Sequence, residues 1–345
     1  MGEITNYIIP ELTKKDFVPG NEVKWCPGCG DYTVLSSVHQ ILPLIGKKKE
    51  DIAFISGIGC SSRFPYYVDT YGFHTIHGRA AAIASGVKLA NPNLSVWQIT
   101  GDGDCMAIGG NHFIHLIRRN IDINVVLLNN KIYGLTKGQA SPTTPIGSKT
   151  KTSPDGTIEP PFRPGLLTVG AQGTFFARLI DTNPKMIREA LIEAANHKGT
   201  SVVEILQNCV IFNNQVHSIV TAKETRDDHQ IFLKHGEPML FGENNSKGII
   251  LNKEKLELEQ VVIGENGITE KDILVHDAQE SNYTKQLMLI QMHPPEMPLA
   301  LGVIRSVEQD TYNDLLDAQI EHAMKTPKYK NMDDLLFSGD VFDLD

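Results

Sequence analysis

GDGDCMAIGGNH, residues 101–112, carries the strongest local signal in this chain. It follows the apolar run SVWQITG (95–101) and opens a helical pattern over 104–120, with Met106, Phe113, Ile114 and Ile117 on one face. Gly101 and Gly103 let the backbone turn tightly and approach an anion. The helix start offers unpaired N–H groups and the positive end of a dipole, which suits a phosphate. Twenty-eight residues after Asp102, at the end of the apolar run INVVLLNN (123–130), stands NNKIYG. Asp102 supplies a carboxylate oxygen and Asn130 an amide oxygen, the hard donors that Mg²⁺ shares with substrate phosphates and water. Both stand at carboxyl ends of expected strands, where open α/β sheets bind ligands. GDG alone is an ordinary turn. GDG after one buried strand, with NN after the next, specifies a metal–diphosphate site. Gly101, Asp102, Gly103, Asp104 and Asn130 are its candidate cofactor-binding residues.

The elements around this core alternate. DIAFIS (51–56), TFFARLI (174–180) and SVVEIL (201–206) are short apolar runs. Helical spacing marks 31–42, with Asp31 as expected N-cap, then 79–90 and 184–197 with Pro184 in its first turn. Continuously apolar strands alternating with helices predict an α/β fold, a mostly parallel sheet covered by helices on both faces. Residues 1–24 read as an N-terminal arm and 25–214 as the binding domain. Residues 215–345 read as a C-terminal extension of unknown role, with a helix near 309–324 and an acidic end.

The chain has 345 residues and a net charge of −9, and its longest basic cluster is Lys47–Lys49, so a nucleic-acid partner is not expected. The first residues lack the basic and apolar regions of a signal peptide, and no apolar run reaches the roughly 20 residues that span a bilayer. The expectation is a cytoplasmic protein without a membrane partner. In that compartment thiols stay reduced, so its five cysteines read as ligands or core residues.

Cys26 and Cys29 form CPGC, Cys60 follows a strand in GIGCSS, and Cys209 follows another in EILQNC. Cys105, inside the diphosphate helix, reads as a small core residue. Four thiolates suit tetrahedral zinc or a [4Fe–4S] cluster. One CxxC pair with two scattered partners leaves the metal open on spacing alone.

From GDG to NN the chain resembles the thiamine diphosphate enzymes. That resemblance assigns Mg²⁺ to Asp102, Asn130 and the carbonyl of Ile132. CPGCG, GIGCSS, HTIHGRA, GDGD, NNKIYG, LTKGQ and the late cysteine, in this order, together resemble the β subunit of 2-oxoacid:ferredoxin oxidoreductases. The likeness runs from about Trp25 to Asn213. It implies a [4Fe–4S] cluster on Cys26, Cys29, Cys60 and Cys209. It also implies an α subunit that carries the pyrimidine-binding domain and the catalytic glutamate, in an (αβ)₂ assembly. The implied reaction is oxidative decarboxylation of a 2-oxoacid with coenzyme A to acyl-CoA and CO₂, with electrons leaving through the cluster to ferredoxin. A non-redox thiamine decarboxylase or synthase subunit with structural zinc is the rival.

Within the resemblance, His77, Gly78 and Arg79 line the cofactor site. Leu135 and Lys137 stand where the family tunes its substrate pocket. The LTKGQ form resembles members that take 2-oxoglutarate, whose second carboxylate a lysine neutralises, giving succinyl-CoA as product. His112 and His115, one helical turn apart, read as packing or subunit-contact residues.

Overall fold

The computed structural model describes residues 12–342; part of the expected arm (residues 1–11) and the last three residues of the acidic end lie outside the described residues. The main sheet has eight strands: β1 (Ile52–Ser56), β2 (Tyr71–His74), β3 (Ser95–Gly101), β4 (Asn124–Asn129), β5 (Phe175–Ile180), β6 (Ser201–Leu206), β7 (Gln230–Leu233) and, near the end, Leu299–Ser306. A small antiparallel sheet adds β8 (Leu240–Phe241), β9 (Lys247–Asn252) and β10 (Glu257–Val262), which makes Leu299–Ser306 β11. The main order is β2-β1-β3-β4-β6-β5-β11-β7. The first six strands run parallel, and β11 pairs antiparallel with β5 and parallel with β7. The expected α/β fold is what the structure shows, and the segment beyond 215 supplies two strands to the same sheet.

Side chains alternate between two apolar clusters. Ala53, Ile55, Val96, Val125 and Leu127 face one, together with α2 (Ala80–Ala90) and α4 (Gly110–Arg118). Ile52, Phe54, Trp97, Val126 and Leu128 face the other, with α1 (Asp31–Ile41) and the helix Pro184–Asn196. This period of two in strands buried on both faces is why they read as unbroken apolar runs. Each fully buried Ile, Leu or Phe contributes about 1.5–3 kcal/mol of transfer free energy.

The expected helix over 104–120 is two, α3 (Asp102–Met106) and α4, broken at Gly109. A Cβ at Gly109 would come within 2.5 Å of the Asp104 carbonyl, so the chain turns there where only glycine fits. Asp31 is not a cap: Gly30 holds the N-cap position and Asp31 lies buried in the first turn. At Gly30 a Cβ would collide with the Asp181 carboxylate, so no capping side chain has room.

Candidate active site

The ends of four adjacent strands build the site. β3 ends on Gly101 and runs into α3; after β4 comes the loop Asn130–Gly134; after β1 comes Cys60; after β6 comes Gln207. Together they line a cleft of about 480 Å³. Its walls include Gly101, Asp102, Gly103, Asp104, Asn130, Ile132 and Leu135, which the sequence singled out.

The Asp102 carboxylate is buried, and its Oδ2 accepts from Ser141 Oγ at 2.5 Å and Thr143 Oγ1 at 2.6 Å. Burial raises its pKa, and the two hydroxyls work against that rise. A buried carboxylate with no basic side chain in these contacts favours a bound cation. Asn130 Oδ1 accepts from the N–H of Ile132 at 3.1 Å, which fixes the loop at both expected metal ligands. The donor set of carboxylate, amide oxygen and carbonyl fits Mg²⁺. At Gly103 a Cβ would stand 2.3 Å from the Tyr133 ring, so only glycine lets the two loops meet.

Asp104 ties three segments together. Oδ1 accepts from His77 Nδ1 (2.8 Å), Gly78 N (2.7 Å) and Ile58 N (3.0 Å), while Oδ2 accepts from Thr100 Oγ1 (2.8 Å). Of the HGR trio, His77 lines the cleft. Gly78 is buried against Asp104, and the Arg79 guanidinium donates to the Ile108 carbonyl at 3.1 Å. Leu135 lines the cleft, whereas Lys137 is exposed on the following turn with φ +77°.

The four cysteines come from three loops that are stitched together. Trp25 Nε1 donates to the Cys60 carbonyl at 2.7 Å, and Gly30 N donates to the Asn208 carbonyl at 3.3 Å. Gly28, with φ +82°, turns the CPGC loop so that Cys29 N reaches the Cys26 carbonyl. Gly134 measures the approach: a Cβ there would stand 3.5 Å from Cys209 Sγ and 3.7 Å from Cys60 Sγ. Asn213, bridged to Cys209, donates to the Asn130 carbonyl at 2.9 Å and so joins the thiol loop to the metal loop. Burial pushes the Cys29 thiol far up, with Asp31, Cys60 and Cys209 adding repulsion. Burial likewise pushes Cys60 up to about 12, with Asp31, Cys209 and Cys26 adding to it. Among the described residues no three ligand-type side chains stand tightly enough together to hold a metal as they are. The thiols nevertheless interact with one another across one loop set, and a cationic iron centre would relieve the repulsion between them. Cys105 is buried core, as read.

Sequence reasoning missed Gln207, Asp31, Ser141 and Thr143. Gln207 and Asp31 line the cleft. Burial, then the charge of Asp181, raises the Asp31 carboxyl to about 7. Gln207 stands two residues before Cys209 just past a strand end, the one signal that pointed to it. Ser141 and Thr143 sit in a Gly/Pro/Thr-rich loop with no pattern to mark them.

Fold and cleft define a thiamine diphosphate-binding domain, and residues 57–205 match the family of the thiamine pyrophosphate enzyme C-terminal TPP-binding domain. A 2-oxoglutarate oxidoreductase subunit KorB from Mycobacterium tuberculosis is 45% identical over 89% of this chain and 81% of its own. A 2-oxoglutarate synthase subunit KorB from Archaeoglobus fulgidus is 48% identical over 54% of this chain and 69% of its own. A solved structure of 2-oxoglutarate:ferredoxin oxidoreductase from Magnetococcus marinus, with 2-oxoglutarate, coenzyme A and succinyl-CoA bound, superposes with a TM-score of 0.75. It is 30% identical and covers 97% of this chain and 98% of that one. The chain belongs to the 2-oxoacid:ferredoxin oxidoreductase β subunits, thiamine-dependent 2-oxoacid oxidoreductases of the 2-oxoglutarate type. Among the described residues no helix is long and apolar enough to cross a membrane.

Proposed function

We propose that this chain is the half of a 2-oxoglutarate:ferredoxin oxidoreductase that holds thiamine diphosphate, Mg²⁺ and one [4Fe–4S] cluster. It works in the cytoplasm with an α subunit, as (αβ)₂, and makes succinyl-CoA and CO₂ from 2-oxoglutarate and coenzyme A. Ferredoxin or a similar carrier takes the electrons. The binding domain comprises residues 25–214, and the segment 215–345 braces its sheet. The observation that carries the reading is the gathering of four cysteine thiols from three loops beside the cleft that holds Asp102 and Asn130.

Thiamine diphosphate supplies the carbanion that permits decarboxylation, and an adjacent cluster supplies a one-electron acceptor. Zinc has no redox chemistry to offer there. The residues of this chain bind and orient. Asp102, Asn130 and the Ile132 carbonyl would hold Mg²⁺ and through it the diphosphate. The N-terminus of α3 would meet the phosphate charge. Gly101 and Gly103 admit its close approach, and Gly78 and Arg79 brace the His77 wall. Asp104 holds Nδ1 of His77, leaving Nε2 directed away from that bond. Cys26, Cys29, Cys60 and Cys209 would hold the cluster. Leu135 would meet the substrate tail, and Lys137, on the turn that follows, would neutralise its second carboxylate.

The test is co-purification with the partner chain and a 2-oxoacid panel assayed with coenzyme A and a low-potential acceptor. The reading expects the highest kcat/KM for 2-oxoglutarate. It also expects Lys137→Ala to raise the KM for 2-oxoglutarate at least about tenfold while sparing pyruvate, as loss of a charge-assisted contact should. Equal use of all 2-oxoacids, unchanged by the substitution, would contradict the substrate assignment.

A further inference from the structure

Behind the metal loop lies a second cavity of about 500 Å³ that the reaction above does not use. The loop divides its residues between the two spaces. Asn130 and Ile132 line the cofactor cleft, while Asn129 and Lys131 line the second cavity. Lys131 is held in the left-handed region at φ +56°. Its N–H donates to Asn129 Oδ1 at 3.2 Å, and its carbonyl accepts from Thr144 Oγ1 at 2.7 Å and Asn213 Nδ2 at 3.3 Å. A lysine kept at a strained position by its surroundings points to a task for its side chain.

The charges in this cavity do not balance. Its wall carries Lys131, Arg163 and Arg178 against one carboxylate, Glu204. Glu204 is already engaged, by Arg178 Nε at 2.9 Å and Asn129 Nδ2 at 2.8 Å. Among the described residues, the Arg163 guanidinium donates to the Gln291 carbonyl, at 3.5 Å. Neither Lys131 nor Arg163 forms an ion pair among the described residues. Lys131 is half-buried and feels the Glu204 and Asp102 charges without pairing with either, while Arg163 is exposed; three cations facing one engaged carboxylate favour an incoming anion. The remaining walls are largely apolar, with Ile146, Phe162, Leu206, Val216 and Met292 among them.

We propose that this cavity is a separate binding site for a small organic anion, whose carboxylate or phosphate group is met by Lys131 and Arg163 and whose body packs on the apolar wall. Thr143 belongs to the same wall, and its hydroxyl lies 2.6 Å from Asp102 Oδ2 and 3.0 Å from Asn129 Oδ1. A ligand here therefore sits against the residues that brace the cofactor side of the loop.

Calorimetric titration of the thiamine diphosphate-loaded complex with its partner chain tests this, using succinate and inorganic phosphate as separate probes. At least one should bind saturably. Binding should weaken at least about tenfold in K131M and in R163Q. R163Q changes a residue outside the metal loop, and retained thiamine diphosphate binding certifies each variant as folded. Succinate binding with phosphate silent marks a carboxylate ligand; the reverse marks a phosphate. Binding of neither probe, or binding undiminished in both K131M and R163Q, overturns the proposal.

Discussion

The side-chain amide of Gln207 donates from Nε2 to the sulfur of Cys29 at 3.2 Å, and the same side chain lines the cofactor cleft. One residue thus touches both the thiol set and the space meant for thiamine. An N–H donated to a ligating sulfur stabilises the extra electron of a reduced cluster. Gln207→Leu should therefore shift the cluster midpoint to more negative potential, with iron content unchanged. Redox titration followed by electron paramagnetic resonance reads this directly, and an unmoved midpoint would remove Gln207 from the account.

The hydroxyls of Ser141 and Thr143 hold the buried Asp102 carboxylate at the cleft wall. Asp102→Ala should weaken thiamine diphosphate binding by roughly 100-fold or more and abolish thiamine-dependent CO₂ exchange. Equilibrium binding of the cofactor in the presence of Mg²⁺ is the check. Full exchange activity in the variant would sink the site assignment.

Asp104 accepts four hydrogen bonds from three segments, so its removal leaves two buried donors, Gly78 N and Thr100 Oγ1, and two half-buried ones without this partner. Asp104→Ala should cost about 3–5 kcal/mol of stability. Asp104→Asn should cost less, because the amide oxygen still accepts and the Thr100 hydroxyl can rotate to accept in turn. Urea unfolding of the two variants compares them, and equal losses would mean that volume rather than hydrogen bonding is what counts.

His217 gives a pH dependence with a definite sign. Burial, then the Lys131 charge, lowers its pKa from 6.5 to about 3. Its Nε2 lies 3.0 Å from the Asn129 carbonyl. Above pH 6.5 the ring is neutral in both states and its contribution is whole. As pH falls from there toward 3, the unfolded chain takes up a proton that the folded chain refuses, and stability is lost. Between about pH 7 and pH 5 this amounts to about 2 kcal/mol, and the loss should be absent from His217→Gln. Parallel stability curves for the two proteins would refute the assignment.

Most of the sheet was legible because strands buried on both faces read as unbroken apolar runs, and the edges of 201–206 and 95–101 match the structure to the residue. The strand Tyr71–His74 was not legible: it is an exposed edge with no apolar run. Nor was β11, whose pairing partner β5 lies more than a hundred residues earlier, so only the folded chain reveals that contact. In the cleft, Asp102, Asn130 and Cys60, which stand in strand-end motifs, were visible. Ser141, Thr143 and Asp31 were not, because their role depends on which loop folds over which. Arg79 shows the converse. Its place in HGR suggested the cleft, and the fold turns its guanidinium toward a carbonyl instead.

The central claim is that four thiolates of this chain hold an electron-accepting cluster beside the thiamine site. Its most direct test is iron, zinc and acid-labile sulfide analysis of the anaerobically purified complex, alongside a form in which Cys60 and Cys209 are both replaced by serine. The account predicts about four iron and four sulfide per β chain in the natural protein, beyond whatever the partner chain holds, and loss of that increment in the double variant. Zinc in place of iron, or an iron content that the double substitution leaves unchanged, would contradict it.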